Sequence, residues 1–101
     1  MQFYEGCSDG TFEVAEDWLV ECTICRHRYR IDRCSLHISV MKQSDIFVHY
    51  FWAELICREC GENLLVRTKV YRNETGGFMR EDHECDAVDF IKPPDILLAN
   101  H

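Results

Sequence analysis

Alternation of apolar and polar residues is the clearest signal in this chain. Within 64–71, Leu64, Val66, Thr68 and Val70 fall on one side of an extended strand, and Arg67 and Lys69 on the other beside Leu65 and Tyr71. Successive side chains of a strand point to opposite faces, so this pattern predicts a half-buried strand. Asn73-Glu74-Thr75-Gly76-Gly77 then supplies a breaker. Upstream, 47–56 is rich in aromatic and β-branched residues, which favours a second strand. A helical stripe of Phe47, Tyr50, Phe51 and Leu55, capped by Ser44-Asp45, fits the same segment. The strand is the reading taken, with the helix left open. Trp18-Leu19-Val20-Glu21 reads as a third, short strand.

Between these strands stand two matching cysteine pairs. Cys22-Thr-Ile-Cys25 is followed after 31 residues by Cys57-Arg-Glu-Cys60. Two such pairs form the ligand set of a four-thiolate zinc site, because zinc accepts tetrahedral sulfur without d-electron directionality. Each pair needs a tight turn to aim both sulfurs at one ion, and Gly61 offers the backbone freedom for it. Strand, knuckle, strand, knuckle, strand predicts a small, mostly β, zinc-ribbon-like domain. The expected ligands are Cys22, Cys25, Cys57 and Cys60, holding one structural Zn2+. A redox dithiol fits less well, since neither pair sits between a strand and a helix. Four thiolates leave no open position for water, so the expected role of the metal is folding.

Composition sharpens this picture. The chain has 101 residues, a length that bounds it to one domain. Seven cysteines, an odd number, with no basic-then-apolar leader at Met1-Gln2-Phe3-Tyr4-Glu5, speak against a secreted disulfide framework. The longest nearly apolar run, 46–56, contains His49 and Glu54 and falls short of the ~20 residues that span a bilayer. A soluble, cytoplasmic protein is expected.

Charge divides the chain in three. Residues 1–21 hold six acidic side chains and no lysine or arginine, 22–73 hold nine basic against five acidic, and 74–101 hold seven acidic against two basic. This suggests an acidic N-terminal arm at 1–17, a ribbon domain at 18–73 and an acidic C-terminal arm at 74–101. These would be extended arms, reading as solvated surface, as docking segments for a basic partner or as a shield for the basic centre, with Pro93-Pro94 stiffening the second and Ile96-Leu97-Leu98 offering it an apolar anchor. If they do not pack, the folded part is small enough, below ~70–80 residues, to need a metal staple. The basic run Arg26-His27-Arg28-Tyr29-Arg30 balances the formal −2 of a zinc tetrathiolate.

Other residues carry weaker signals. Cys7, His83 and Cys85 offer material for a second metal site, or else isolated buried thiols, and Cys34 is expected in the core. His27 is expected to support the ligands as a polar neighbour. Leu55-Ile56-Cys57-Arg58-Glu59 matches an L-x-C-x-E docking pattern, but its cysteine is already a metal ligand. No nucleophile–base–orienter set and no glycine-rich phosphate loop is visible, so no catalytic residue is assigned.

The knuckles also carry a family resemblance. "CTICRHRY" and "ELICRECGENLLV" resemble the two knuckles in the small, gamma-type subunit of acetone and acetophenone carboxylases, which are ATP-dependent, hydantoinase-related ketone carboxylases. The likeness covers about 18–72, with Arg26 standing where that family pattern carries glycine. It implies a non-catalytic, zinc-binding subunit that scaffolds a hetero-oligomeric ligase complex through protein–protein contacts, catalysis residing in the large subunits. On that reading Trp18, Tyr50, Phe51 and Trp52 would be displayed to partners. Two alternatives stand beside it. One is a nucleic-acid-binding ribbon of transcription or translation machinery using Arg26, Arg28, Arg30, Arg33, Arg67 and Lys69. The other is a free-standing adaptor of the papillomavirus early-protein type.

Overall fold

The backbone is built almost wholly of antiparallel strands. The structure, a computed structural model, describes residues 2–4, 7–75, 77–92 and 94–98, with only the backbone of 2–4. In chain order the strands are β1 (Gln2–Tyr4), β2 (Phe12–Val14), β3 (Trp18–Cys22), β4 (Arg28–Ile31), β5 (His37–Gln43), β6 (Ile46–Ile56), β7 (Asn63–Asn73), β8 (Phe78–Asp86), β9 (Val88–Phe90) and β10 (Ile96–Leu98). One 3-10 turn, Arg33–Ser35, is capped by the Asp32 side chain. Among the described residues there is no α-helix.

β6 settles the open question at 46–56. It pairs with β7 along its whole length, from Ile46↔Asn73 to Ile56↔Asn63, and with β5 from Gln43↔Ile46 to His37↔Trp52. Ser44-Asp45 is the two-residue turn of the β5–β6 hairpin, and Ser44 takes φ 56 there. A hairpin turn of this kind matches the twist of its strands when its first residue adopts positive φ. Cross-strand pairing on both sides therefore overrides the helical stripe.

The strands form three sheets: a five-stranded one ordered β1-β5-β6-β7-β8, a three-stranded one ordered β4-β3-β9, and a two-stranded one of β10 and β2. One core joins them. Ile38, Phe51, Leu64, Val66 and Val70 come from the large sheet, Trp18, Val20 and Val88 from the second, and Phe12 and Val14 from the third. The alternation in β7 holds: Leu64, Val66, Thr68 and Val70 are all buried. Burying these apolar faces contributes roughly 25 cal/mol per Å² removed from water.

The acidic flanks are not extended arms. β1 pairs with β5, β8 with β7, and β9 with β3. β10, which carries Ile96-Leu97-Leu98, closes on β2 with Ile96 opposite Val14. Net charge misleads here because a strand needs only one apolar face. Phe12 and Val14 point inward around Glu13, and Val88 points inward beside Asp89. Two expected display residues are likewise interior: Trp18 is 1% exposed and Phe51 0%, whereas Tyr50 and Trp52 are half-buried on the opposite face of β6. Pro93 lies outside the described residues.

Candidate metal centre

Each cysteine pair occupies the turn of a hairpin, and the two turns are built alike. In the β3–β4 turn the Arg26 amide donates to the Cys22 carbonyl, and the Cys22 amide to the His27 carbonyl, both at 2.9 Å. In the β6–β7 turn Gly61 donates to Cys57 and Cys57 to Glu62, both at 2.8 Å. The residue after each second cysteine takes a left-handed conformation, φ 68 at Arg26 and φ 75 at Gly61. That conformation reverses the chain so that both sulfurs of a pair face the same point. It suits glycine and strains arginine.

Packing of the sheets then brings the knuckles together. The Sγ atoms of Cys22 and Cys60 are 3.7 Å apart and those of Cys25 and Cys57 3.4 Å. All four lie within 4.8 Å of one another. A tetrahedron with metal–sulfur bonds of ~2.3 Å has sulfur–sulfur edges of about 3.8 Å. A disulfide would need ~2.05 Å. The spacing thus fits four ligands around one ion. Because one knuckle belongs to the three-stranded sheet and the other to the five-stranded sheet, such an ion would bolt the two sheets together.

Amides and one hydroxyl converge on the sulfurs. The His27 amide donates to Cys25, the Glu62 amide to Cys60, and the Glu59 and Cys60 amides to Cys57. Tyr29, on β4, sets its hydroxyl 3.2 Å from the Cys57 Sγ and accepts the Arg58 amide at 2.8 Å. The Tyr29 hydrogen bond, with those amides, outweighs burial and brings the Cys57 thiol down to about 6. Cys60 behaves oppositely. The Glu62 amide lowers it, but burial and the other three sulfurs push it up to about 12. Four crowded sulfurs resist holding several negative charges, and a dication is the partner that lets all four ionise.

The remaining candidates sort clearly. The His27 ring packs edge-on against Tyr29 with centroids 4.7 Å apart, so its support for the centre runs through Tyr29 and its own backbone. Arg26 and Arg28 both pair with Glu21, at 3.2 and 3.3 Å. Arg33 donates to the carbonyls of Val14 and Ala15, while Arg67 and Lys69 pair with Glu84. Most of the proposed phosphate-binding cations are thus already engaged. Among the described residues the four knuckle cysteines form the one cluster of metal-ligating side chains. Cys7, His83 and Cys85 do not form a cluster among the described residues; His83 bonds Thr68 at 3.0 Å and meets Phe90 edge-on. Cys34 is exposed, correcting its expected place in the core.

A second polar centre escaped the sequence. Asp9 and His49, both buried, meet at 2.5 Å between Oδ2 and Nδ1, and the Arg72 Nε donates to His49 Nε2 at 2.8 Å. An arginine nitrogen only donates, so Nε2 accepts and the ring proton sits on Nδ1 facing the carboxylate. The other oxygen of Asp9 takes the amides of Thr11 and Phe12 at 2.9 and 2.8 Å. Both nitrogens of the His49 ring and both oxygens of Asp9 are thus engaged within the protein. This chain of groups clasps the segment before β2 to the large sheet. No local pattern marks it, because its three members are 40 and 23 residues apart.

Fold and site together define a small, mostly β protein in which four of the seven cysteines are placed to hold a metal ion. No family model, curated protein or solved structure matches this chain. No helix is long and apolar enough to cross a membrane among the described residues.

Proposed function

We propose that this chain is a non-catalytic, zinc-stabilised docking subunit of a larger protein assembly. The observation that carries the reading is the set of four sulfurs at tetrahedral spacing, supplied by two knuckles from different sheets. Such a centre has no vacant position for water or substrate, so the ion serves folding. Zinc is the metal that four cysteine ligands in two knuckles most commonly hold, with iron the competitor that measurement must separate. Large apolar side chains left exposed around the molecule, among them Ile24 and Ile56 at the two knuckles, supply contact surface.

The particular assembly proposed is the ATP-dependent ketone carboxylase of the acetone and acetophenone type, with this chain as its small subunit. Its support is the sequence of the two knuckles alone. Purification of the tagged chain from its native host, followed by elemental analysis and identification of what accompanies it, tests both levels. One zinc per chain and a large hydantoinase-like subunit are expected. Iron in place of zinc overturns the metal assignment. A zinc-loaded monomer recovered alone overturns the docking role, and recovery with RNA or DNA in a steeply salt-dependent complex overturns it in favour of nucleic-acid binding.

A further inference from the structure

Two cysteines outside the metal centre are brought side by side from distant parts of the chain. Cys7 follows β1 and Cys34 precedes β5. These strands pair antiparallel with Tyr4 opposite Ile38, so Cys7, three residues beyond the one, and Cys34, four residues before the other, leave the ladder at the same end. A second route converges on the same place. The Val14 amide donates to the Cys7 carbonyl at 2.8 Å and Ser8 bridges Glu13, so the chain after Cys7 folds back on itself as a tight hairpin. Arg33, the neighbour of Cys34, donates through its guanidinium to the carbonyls of Val14 and Ala15, at 3.5 and 2.7 Å. The turn that carries Cys34 is itself held. Its Arg33 amide donates to the Asp17 carboxylate at 3.0 Å and its Cys34 amide to the Asp32 carboxylate at 2.8 Å. The Cys34 thiol is thereby set within hydrogen-bonding reach of the Cys7 thiol.

The surroundings decide what such a pair can do. Both cysteines are free thiols, Cys7 half-buried and Cys34 exposed. Among the described residues they belong to no cluster of three or more metal-ligating side chains, so their chemistry is that of a dithiol. Contact with Cys7, together with burial, outweighs the Arg33 charge and pushes the Cys34 thiol up. The pair therefore rests protonated and is not a standing thiolate nucleophile. The other cysteines offer no competing partner. Four belong to the knuckles, and Cys85 lies on β8, at the opposite edge of the five-stranded sheet from β1. Cys7 and Cys34 can join without disturbing the metal centre. The odd count of seven then resolves into four ligands, one pair and one remaining thiol.

We propose that Cys7 and Cys34 form a reversible disulfide that staples the N-terminal segment to the turn before β5, with a small-molecule disulfide as the oxidant. The exposed Cys34 loses its proton and attacks one sulfur of that disulfide. The small S–S bond breaks, one small thiol leaves, and Cys34 is held in a mixed disulfide. Cys7 then loses its proton, attacks the Cys34 sulfur and displaces the second small thiol. One S–S bond is thus exchanged for another, and the two protons and two electrons of the pair end on two small thiols. A reducing thiol pool reverses each step. The link closes residues 7–34 into a loop that contains β2, β3, the first knuckle and β4. Closing that loop constrains the unfolded chain and so favours the folded one. This role goes beyond docking and does not rest on it.

The test treats the full, metal-loaded chain with oxidised glutathione and maps its disulfides by mass spectrometry without prior reduction. A peptide pair linked through Cys7 and Cys34 is expected, in a chain that stays monomeric on a non-reducing gel and keeps its metal. The linked form should melt about 5 °C or more above the reduced one, and dithiothreitol should restore the original melt. Cys7→Ser and Cys34→Ser should each lose the shift, the former retaining glutathione on Cys34. Cys85→Ser should keep the shift. The proposal is overturned if both sulfurs remain thiols, with or without oxidation of the knuckles. It is equally overturned if either sulfur joins Cys85 or a second copy, if glutathione persists on Cys34 of the parent chain, or if the linked form melts no higher than the reduced one. None of these outcomes bears on the docking role, which co-purification tests separately.

Discussion

The carboxylate of Asp9 lies 2.5 Å from Nδ1 of His49, and both side chains are buried. This contact joins the acidic N-terminal segment to the centre of the large sheet. Burial by itself raises the Asp9 carboxyl, but the His49 hydrogen bond and the amides of Phe12 and Thr11 together bring it below its ordinary 3.8. A carboxyl depressed in the folded state adds stability above its unfolded pKa, and that contribution fades as pH falls through the folded value. Asp9→Ala, which leaves His49 and two amides unpaired, is expected to cost about 3 kcal/mol at neutral pH. Asp9→Asn should cost less, and its gap from the parent should close as the pH drops from about 5 to below 3.8. Urea titrations of parent and variants across that range measure it, since any loss of metal is common to all and cancels.

Arg26 and Gly61 occupy equivalent places in the two knuckles with φ 68 and φ 75. An L-residue held there is strained by about 1–2 kcal/mol. Arg26→Gly is therefore expected to stabilise the protein by up to about 1 kcal/mol, since the ion pair it loses to Glu21 is exposed and Arg28 retains its own. Gly61→Ala should destabilise by about 1 kcal/mol, a purely backbone effect because an added Cβ meets nothing within 4 Å. Thermal melts of the metal-loaded proteins should move in opposite directions.

Tyr29 touches Cys57 through its hydroxyl and holds the amide of Arg58. Removing that hydroxyl in Tyr29→Phe should lower metal affinity by roughly tenfold while leaving the fold intact with metal in excess. Competition against a chromophoric chelator reads the change. Stoichiometry should stay at one ion per chain.

Cys57→Ser removes a ligand from the bolt between the two larger sheets. Loss of cooperative melting is expected, and stripping the metal from the parent chain should reproduce it. Metal binding should also weaken steeply on acidification, because every ligand must shed a proton. A Cys57→Ser protein that melts like the parent would show that the centre is not structural.

The two tryptophans should differ in fluorescence. Trp18 is 1% exposed and packs edge-on against Phe90 with centroids 5.3 Å apart, whereas Trp52 is half-buried beside His37. Iodide should quench Trp52 preferentially, so the residual emission is blue-shifted. Trp18→Ala is expected to cost about 3–5 kcal/mol, against roughly 1 or less for Trp52→Ala.

How much of this was legible beforehand depends on the reach of each feature. The cysteine quartet was readable because each half is a four-residue motif, and β7 because alternation is local. The helix–strand ambiguity at 46–56 was not resolvable in the same way. Its aromatic residues satisfy both periods, and the decision came from pairing with β5 and β7. The acidic flanks misled for a related reason. Charge was summed along the chain, while burial depended on single inward residues such as Phe12, Val14 and Val88.

The sequence by itself determined the chemistry of the two knuckles and the inward face of the strand that follows the second. Those are set by spacing and by the two-residue repeat of an extended chain. Only the tertiary structure decided that the knuckles meet, that Tyr29 reaches Cys57, and that Asp9, His49 and Arg72 form one buried chain of hydrogen bonds. It also decided that the turn at Arg33–Ser35 grips the chain at Val14 and Ala15 and so sets Cys34 beside Cys7. These are contacts between residues distant along the chain, fixed by strand register and sheet packing, and no local pattern encodes them.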